Sequence, residues 1–337
     1  MTNEQKNLEN QGKDFGKHLF NLWSKYNFAF VFAIIFLTYL VINIQAVNWL
    51  ALSNILRHSS VIGVVALAMG LIILTGDIDL SVGSTVSLVG GISVIVFNTT
   101  GSLVLTFLVG IVGGMACGLV NGFLISFLKM PSFIVTLATM LIFRSIASWL
   151  MTAQMQLSMF RLDTTLAQYE AYFYIGNRNF LSIPILFFVF LAATVLMVYI
   201  TTSTKFGKSV YAVGSNEKAA RLAGVNVKMT RLAVFGVSGA LVGLAAVLLS
   251  AQMGGILAST AGRSYELYAI AAGVIGGVSM AGGKGKMVGV IFGVVTFTLV
   301  DNIIMALRFN PLINDTFSGL ILLAAILLQI TQKRSPV

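Results

Sequence analysis

The chain has 337 residues, of which 57% are hydrophobic and only 9% carry a charge. Soluble globular domains average about 45–50% apolar and about 25% charged residues. This composition excludes a soluble enzyme and a disordered or fibrous protein, and it predicts a polytopic membrane protein. The net charge of +10 does not indicate nucleic-acid binding, because the basic residues stand at the ends of apolar runs, where membrane orientation requires them.

The apolar runs are continuous and close to the length of about 20 residues that a helix needs to cross a bilayer. The run from Phe28 to Ile44 (FAFVFAIIFLTYLVINI) shows no alternation of polarity, which excludes an outer-membrane barrel. The runs predict an all-α membrane protein with about ten transmembrane helices. The predicted segments are roughly 28–47, 55–75, 79–97, 103–128, 131–151, 183–202, 231–252, 265–280, 286–307 and 315–331.

The basic residues predict the orientation of these segments. With the N-terminus inside and ten crossings, fifteen Lys and Arg fall on the inner side and four on the outer side. This bias predicts that both termini are cytoplasmic. The predicted organisation is a cytoplasmic tail at 1–27, a single transmembrane domain over 28–331 and a cytoplasmic tail at 332–337. Within the domain, only an outer loop at 152–182 and an inner loop at 203–230 are long enough to carry function.

Four glycines recur at four-residue spacing in the fourth segment: Gly110, Gly114, Gly118 and Gly122. On a helix they form one smooth stripe, which lets a neighbouring backbone approach closely. The stripe predicts helix packing within a compact bundle, and a sliding surface in a transport cycle is the alternative. The eighth segment, 265–280, is short and rich in glycine, so it predicts a broken or re-entrant helix.

Motifs for catalysis and for cofactor binding are missing from the sequence. Neither a Walker loop nor a dinucleotide fingerprint occurs, so any ATP that the protein uses must be hydrolysed by another subunit. The Gly236–Gly239 stretch matches the G-x-S-G of intramembrane serine proteases, but no histidine follows Ser238, and the chain has only His18 and His58. One cysteine and two distant histidines make no zinc site. We therefore expect no enzymatic activity, no cofactor and no metal.

A polar break separates the second and third segments. The stretch TGDIDLSVGS places Asp77, Asp79, Ser81 and Ser84 between strongly apolar runs. An ionised group deep in a bilayer costs at least about 2.5–3.5 kcal/mol, so the break needs an explanation. It is either a short cytoplasmic turn in which Asp79 or Ser81 caps the third helix, or the lining of a polar translocation path or gate.

Two further charged residues interrupt apolar segments. Arg144 lies in the middle of the fifth segment, and Glu266 opens the short eighth segment. Such groups should face the interior of the bundle. Glu266 is a further candidate for the path or gate, whereas Arg144 fits a structural pairing with a carboxylate or carbonyls as well as it fits substrate contact. None of these residues identifies a substrate.

The inner loop contains a short amphipathic helix that starts at Glu217. Asn216 is a good N-cap, Glu217 complements the helix dipole, and Gly224 supplies a left-handed C-cap. A helix this short has little stability alone. It therefore fits a knob that docks into a cleft of a cytoplasmic partner, and a solvated charged loop is the alternative.

This segment resembles the coupling loop of bacterial ATP-binding-cassette permeases, whose E-x-A-A-x-x-x-G pattern stands here as Glu217, Ala219, Ala220 and Gly224. More narrowly, the chain resembles the permease subunits of monosaccharide importers of the ribose, galactose and arabinose type. The resemblance also rests on three other stretches: SNILRHSSVIGVVALAMGLIIL (53–74), ILTGDIDLSVGS (73–84) and YELYAIAAGVIGGVSMAGGKG (265–285).

The chain departs from the family pattern at two positions. Asp77 stands where a second glycine is usual, and Tyr268 stands where an aspartate is usual. These differences concern the identity of the sugar and leave the class of transporter unchanged.

The resemblance implies a type II importer bundle of around ten helices in the bacterial inner membrane. It implies three protein partners: a cytoplasmic ABC ATPase, a second permease copy in a homodimer or heterodimer, and a periplasmic or lipid-anchored sugar-binding protein. The short helix would sit on the ATPase and couple it to alternating access for a monosaccharide, a ribose-like pentose or a hexose. The implied coupling residues are Gly214, Asn216, Glu217, Ala219, Ala220, Arg221 and Gly224.

Two other functions remain open from the sequence. An ion-coupled secondary transporter would act without an ATPase and would carry coupling carboxylates within the membrane. A signalling or scaffold membrane protein would support no flux. Dependence of transport on ATP and a partner ATPase separates these possibilities.

Overall fold

The computed structural model describes residues 28–154 and 166–307, together with isolated helical positions between 316 and 327. Both predicted tails, the middle of the predicted outer loop and most of the last predicted segment lie outside the described residues. The described parts of the chain are almost entirely α-helical. They confirm an all-α polytopic membrane architecture.

The described residues form twelve helices and one short β-hairpin. In chain order, the elements are α1 (Phe28–Ile42), α2 (Trp49–Leu74), α3 (Val82–Thr100), α4 (Leu103–Ser126), α5 (Ser132–Gln154), α6 (Leu166–Asn177), β1 (Asn179–Phe180), β2 (Ile183–Pro184), α7 (Ile185–Ser203), α8 (Lys205–Ser215), α9 (Glu217–Leu222), α10 (Val227–Met253), α11 (Tyr265–Ile275) and α12 (Met287–Ala306).

Seven of the described helices are long and apolar enough to cross a membrane: α2, α3, α4, α5, α7, α10 and α12. Each corresponds to one predicted segment, with ends that differ by a few residues. Two other predicted segments correspond to the shorter apolar helices α1 and α11. The tenth, 315–331, lies mostly outside the described residues, so the structure supports seven spans by length and composition and leaves the number ten as a prediction.

The two long loops contain regular structure in addition to the predicted short helix, α9. The inner loop holds α8 as well as α9, and the hydroxyl of Thr204 caps α8 by accepting from the backbone N–H of Gly207 at 3.1 Å. The outer loop holds α6 and the antiparallel β1–β2 hairpin. The tight turn of the hairpin places Leu181 and Ser182 at positive φ, a conformation that apolar periodicity does not reveal.

Helix α2 lies at the centre of the bundle. Residues 63–74 are all buried, and α2 packs against α7, α10, α11 and α12. A helix that is apolar on every side is suited to such an interior position. Helix α10 lies beside it, and the Ser238 hydroxyl donates to the Ala68 carbonyl of α2 at 2.8 Å. Helices α2 and α10 together form the centre of the bundle.

The glycine stripe of α4 faces α10. A Cβ atom built on Gly114 would meet the Gly239 carbonyl and lie 2.6 Å from the backbone nitrogen of Gly243. Gly118 likewise approaches the Phe235 carbonyl. The two backbones are therefore in direct contact through small residues on both helices, the arrangement that small-xxx-small patterns favour in membranes.

The chain is interrupted between α10 and α12. Helix α10 ends at a left-handed Gly254, and the following residues 255–264 turn back along α3. There the Ser87 hydroxyl donates to the Ala258 carbonyl at 3.1 Å. Helix α11 then runs for only 11 residues before Gly276. The short, glycine-rich eighth segment is therefore a broken element, as predicted.

Candidate functional site

Helix α9 is closed at both ends by local hydrogen bonds. Asn216 has extended backbone, and its side-chain oxygen accepts from the Ala219 N–H at 3.0 Å. At the other end Gly224 has a φ of +81°, its N–H donates to the Arg221 carbonyl, and the Val225 N–H donates to the Ala220 carbonyl. This pair of bonds is a Schellman motif, which explains why glycine stands at position 224.

Helix α9 presents most of its surface to the outside of this chain. Its only buried residue is Ala220, which packs with Val213 of α8 and Val227 of α10. Leu222 is 90% exposed, and Arg221 beside it is also exposed. A helix with a small apolar base, an exposed leucine and exposed charged side chains is suited to docking on a partner.

Three backbone segments pack against one another at the end of α8. A Cβ on Gly214 would meet the Leu74 carbonyl at the end of α2 and lie 2.6 Å from the Gly283 nitrogen. The Gly283 N–H itself donates to the Leu74 carbonyl at 2.9 Å. Gly214 is therefore required for close backbone contact, and it connects the α8–α9 unit to the end of α2 and to the connection between α11 and α12.

The polar break between α2 and α3 is buried and internally hydrogen-bonded. Asp79 Oδ1 accepts from the Ser81 backbone N–H at 2.7 Å and from its hydroxyl at 2.6 Å. The Ser81 hydroxyl in turn accepts from the Asn121 side chain of α4 at 2.8 Å, and Ser84 donates to the Ser81 carbonyl. Ser81 occupies the N-cap position, but its side chain makes no capping bond. Asp79 instead organises the turn that begins α3.

Asp77 points away from this local network toward α9. Its Oδ2 lies 3.0 Å from Nε of Arg231 on α10, and Nη1 of Arg231 lies 3.1 Å from Oε2 of Glu217. Glu217 also pairs with Arg221 at 2.7 Å within α9. One predicted path residue is thus joined to Glu217 of the predicted coupling group through Arg231, which the sequence pattern shows only as a basic residue at the end of a span.

A cavity of about 520 Å³ lies beside these ion pairs. Asp77, Ser132, Glu217, Lys228 and Arg231 are among its lining residues. Burial raises the pKa of the Asp77 carboxyl above its ordinary value, and the Arg231 guanidinium acts in the opposite direction. The cavity gives the charged cluster an opening on the face that carries α9.

Glu266 lies near the beginning of α3, apart from Asp77. A Cβ built on Gly83 would be 2.6 Å from Glu266 Oε2, so this carboxylate packs against the first turn of α3. Arg144 of α5 donates through Nη1 to the Ala258 carbonyl at 3.0 Å and to the Ala261 carbonyl at 2.6 Å. Of the two roles open for Arg144, the geometry places it as a clamp on the segment that precedes α11.

A second cavity, of about 500 Å³, lies over this clamped segment. Met253, Ile256, Thr260, Gly262 and Tyr265 are among its lining residues. It is formed where α10 ends and the chain turns back toward α11.

The structure divides the predicted path group into two places. Asp79, Ser81, Ser84 and Glu266 gather around the start of α3, whereas Asp77 belongs with the α9 cluster. Among the described residues, no group of three His, Cys, Asp or Glu side chains could hold a metal ion.

Comparison with known proteins decides the family. The profile described as "Branched-chain amino acid transport system / permease component" matches residues 51–326. This chain belongs to that family. The match includes the polar break, the coupling segment and the broken element.

Several transport permeases are similar to this permease along most of their length. It is 33% identical to the L-arabinose transport system permease protein AraH of Escherichia coli, over 91% of this chain and 90% of that protein. Identity is also 33% to the xylose transport system permease protein XylH of Haemophilus influenzae, over 84% and 89% of the two chains. The ribose import permease protein RbsC of Bacillus subtilis is 33% identical, over 86% and 87%. No solved structure matches the chain.

Proposed function

We propose that this permease is the membrane-spanning subunit of an ATP-driven importer for a monosaccharide, a ribose-like pentose or a hexose. The observation that carries the proposal is its similarity, over at least 84% of the chain, to permeases named for arabinose, xylose and ribose. Transport proceeds by alternating access, in which helices move as rigid bodies around the sugar path.

The coupling group receives the movement of a cytoplasmic ABC ATPase. This role is supported by the exposure of Leu222 and by the two caps that fix the shape of α9. Gly214, which is pressed against the end of α2, gives that movement a route into the bundle. ATP is hydrolysed on the ATPase, and this chain performs no covalent chemistry.

The complete permease crosses the inner membrane about ten times with both termini in the cytoplasm. The bias of basic residues toward the inner side supports this orientation. Two permease copies, identical or related, enclose the sugar path, and a periplasmic or lipid-anchored binding protein delivers the sugar at the outer side. Sugar specificity resides largely in that binding protein.

The first experiment is purification of the tagged chain from its native host in mild detergent, with identification of the proteins that co-purify. A stoichiometric ATPase with Walker motifs is the expected partner. The complex is then placed in proteoliposomes with the binding protein, and uptake of radiolabelled D-ribose, L-arabinose and D-xylose is measured with and without ATP. A chain that purifies alone and moves these sugars under an ion gradient would refute the proposal in favour of a secondary transporter.

A further inference from the structure

Charges of alternating sign run from the polar break to the coupling helix. In order they are Asp77, Arg231, Glu217 and Arg221, joined by distances of 3.0, 3.1 and 2.7 Å. We propose that Arg231 is a positioning residue that ties the coupling helix to the α2–α3 break, so that movement of α9 is transmitted to Asp77. This inference rests on the proposed function, because it concerns how the ATPase drives the permease.

Arginine is suited to this position by its shape and its permanent charge. One guanidinium lies between two carboxylates on separate elements. Its Nη1 is 3.1 Å from Glu217 Oε2, and its Nε is 3.0 Å from Asp77 Oδ2 in an ion pair that lacks the alignment of a hydrogen bond. Without it, the two carboxylates would face the same space with no shared cation. Among the described ion pairs, Arg231 is therefore the cation that Asp77 and Glu217 share.

The ion pair between Asp77 and Arg231 is less exposed to solvent than the pair between Glu217 and Arg221. The side chains of Asp77 and Arg231 are 9% and 23% exposed, whereas Arg221 at the other end is 65% exposed. Exposed ion pairs contribute little, because water and salt screen them, and partly buried pairs are screened much less. A docked ATPase can displace Arg221 while Glu217 remains held to α10.

Apart from the ion pair between Glu217 and Arg231, few contacts fix the orientation of α9. Its buried base is the single methyl group of Ala220. The α8 end is fixed by the close approach of Gly214 to the Leu74 carbonyl. With one contact at Gly214 and the other at Arg231, the α8–α9 unit holds the end of α2 and Asp77, and Gly76 lies between these two points with a φ of +82°.

The test measures sugar transported per ATP hydrolysed by the reconstituted complex of permease, ATPase and binding protein. The variants are Asp77→Asn, Arg231→Gln, the double variant and Arg231→Lys. Lys228→Gln is the matched control, since it removes a positive charge from the same cavity, and the Lys228 ammonium stacks over the Phe127 ring. Assembly with the ATPase is checked by size-exclusion chromatography.

We expect each single variant to assemble and to transport about three- to tenfold less sugar per ATP, with unchanged basal hydrolysis. The double variant should be no worse than the single ones, because all break one link. Arg231→Lys should be intermediate, since an ammonium lacks the planar fork. Lys228→Gln should match the wild type.

Three results would overturn the inference. They are wild-type coupling in Asp77→Asn, a double variant whose loss is the product of the single losses, and failure of Asp77→Asn to assemble, which would make the link a requirement of folding. A wild-type complex without sugar-dependent ATP hydrolysis would refute the proposed function instead. The two failures are therefore distinguishable.

Discussion

The contact between α4 and α10 is so close that one added methyl group should force the helices apart. A Cβ on Gly114 would lie 2.6 Å from both N and Cα of Gly243 and closer still to the Gly239 carbonyl. Ordinary contacts between carbon atoms are about 3.5–4.0 Å. Since backbone atoms obstruct the methyl group, no side chain can rotate to make room, and Gly114→Ala requires a local separation of about 1 Å.

The expected cost follows from that separation. A gap of about 0.5–1 Å forfeits a quarter to a half of each dispersion contact along the seam. Overpacking of this kind costs about 1–3 kcal/mol, and rigid backbone on both sides favours the upper part of that range. Replacing glycine by alanine within a helix returns about 1 kcal/mol of intrinsic helix stability.

Gly113→Ala is the matched control for this prediction. It makes the same change one residue earlier, where the added Cβ would lie 3.7 Å from the nearest atom, on Val89. Both variants gain the same helix propensity, so their difference isolates the contact with α10. That difference should be about 2–3 kcal/mol, or about 3–4 °C in apparent melting temperature for a chain of this length.

The assay is thermal unfolding of the detergent-purified permease, followed by tryptophan fluorescence or by retention on size exclusion at one heating rate. Gly114→Ala should melt below the wild type, and Gly113→Ala at or above it. Equal melting temperatures for the two alanine variants would refute the reasoning, because the seam would then have room for a methyl group.

The other predictions concern the coupling helix, the break and the clamp. Gly224→Val places a β-branched residue at φ +81° in otherwise open space, so ATP-driven uptake should be lost although the protein still inserts into the membrane. Gly224→Asn should retain most uptake. Normal uptake by the valine variant would contradict a coupling role. Asp79→Asn retains an acceptor for the turn and should transport within about twofold of wild type, whereas loss of uptake by an assembled variant would assign the carboxylate to the path or gate. Arg144→Met leaves the Ala261 carbonyl without its side-chain donor, whereas the Ala258 carbonyl keeps the Ser87 hydroxyl. The cost should be about 1–3 kcal/mol, or about 1–4 °C in melting temperature, and an unchanged value would show that the clamp contributes nothing.

Features with short-range causes were predictable from the sequence. The caps of α9 were predictable because Asn216 and Gly224 bond to backbone groups within four residues. The interruption near 265–280 was predictable because a short, glycine-rich stretch cannot continue as a full span. Helix α8 of the inner loop was less predictable, because its glycines at 207 and 214 are needed for close packing against other backbone segments, which the sequence does not show.

The two aspartates of the polar break have different partners, which the local sequence could not predict. Asp77 and Asp79 are two residues apart and look equivalent in the sequence, yet one serves its own turn and the other pairs with Arg231 on a distant helix. Nothing near position 231 in the sequence indicates that partner. The path or gate group therefore could not be divided before the helices were placed.

The sequence by itself determined the membrane class, the short helix with its caps and the face on which the α4 glycines lie. These depend on composition, on helical periodicity and on hydrogen bonds between near neighbours. Only the tertiary structure decided that α10 receives that glycine face and that Arg231 joins Asp77 to Glu217. The physical reason is that such contacts depend on the packing of whole helices, which brings together residues that no spacing along the chain relates.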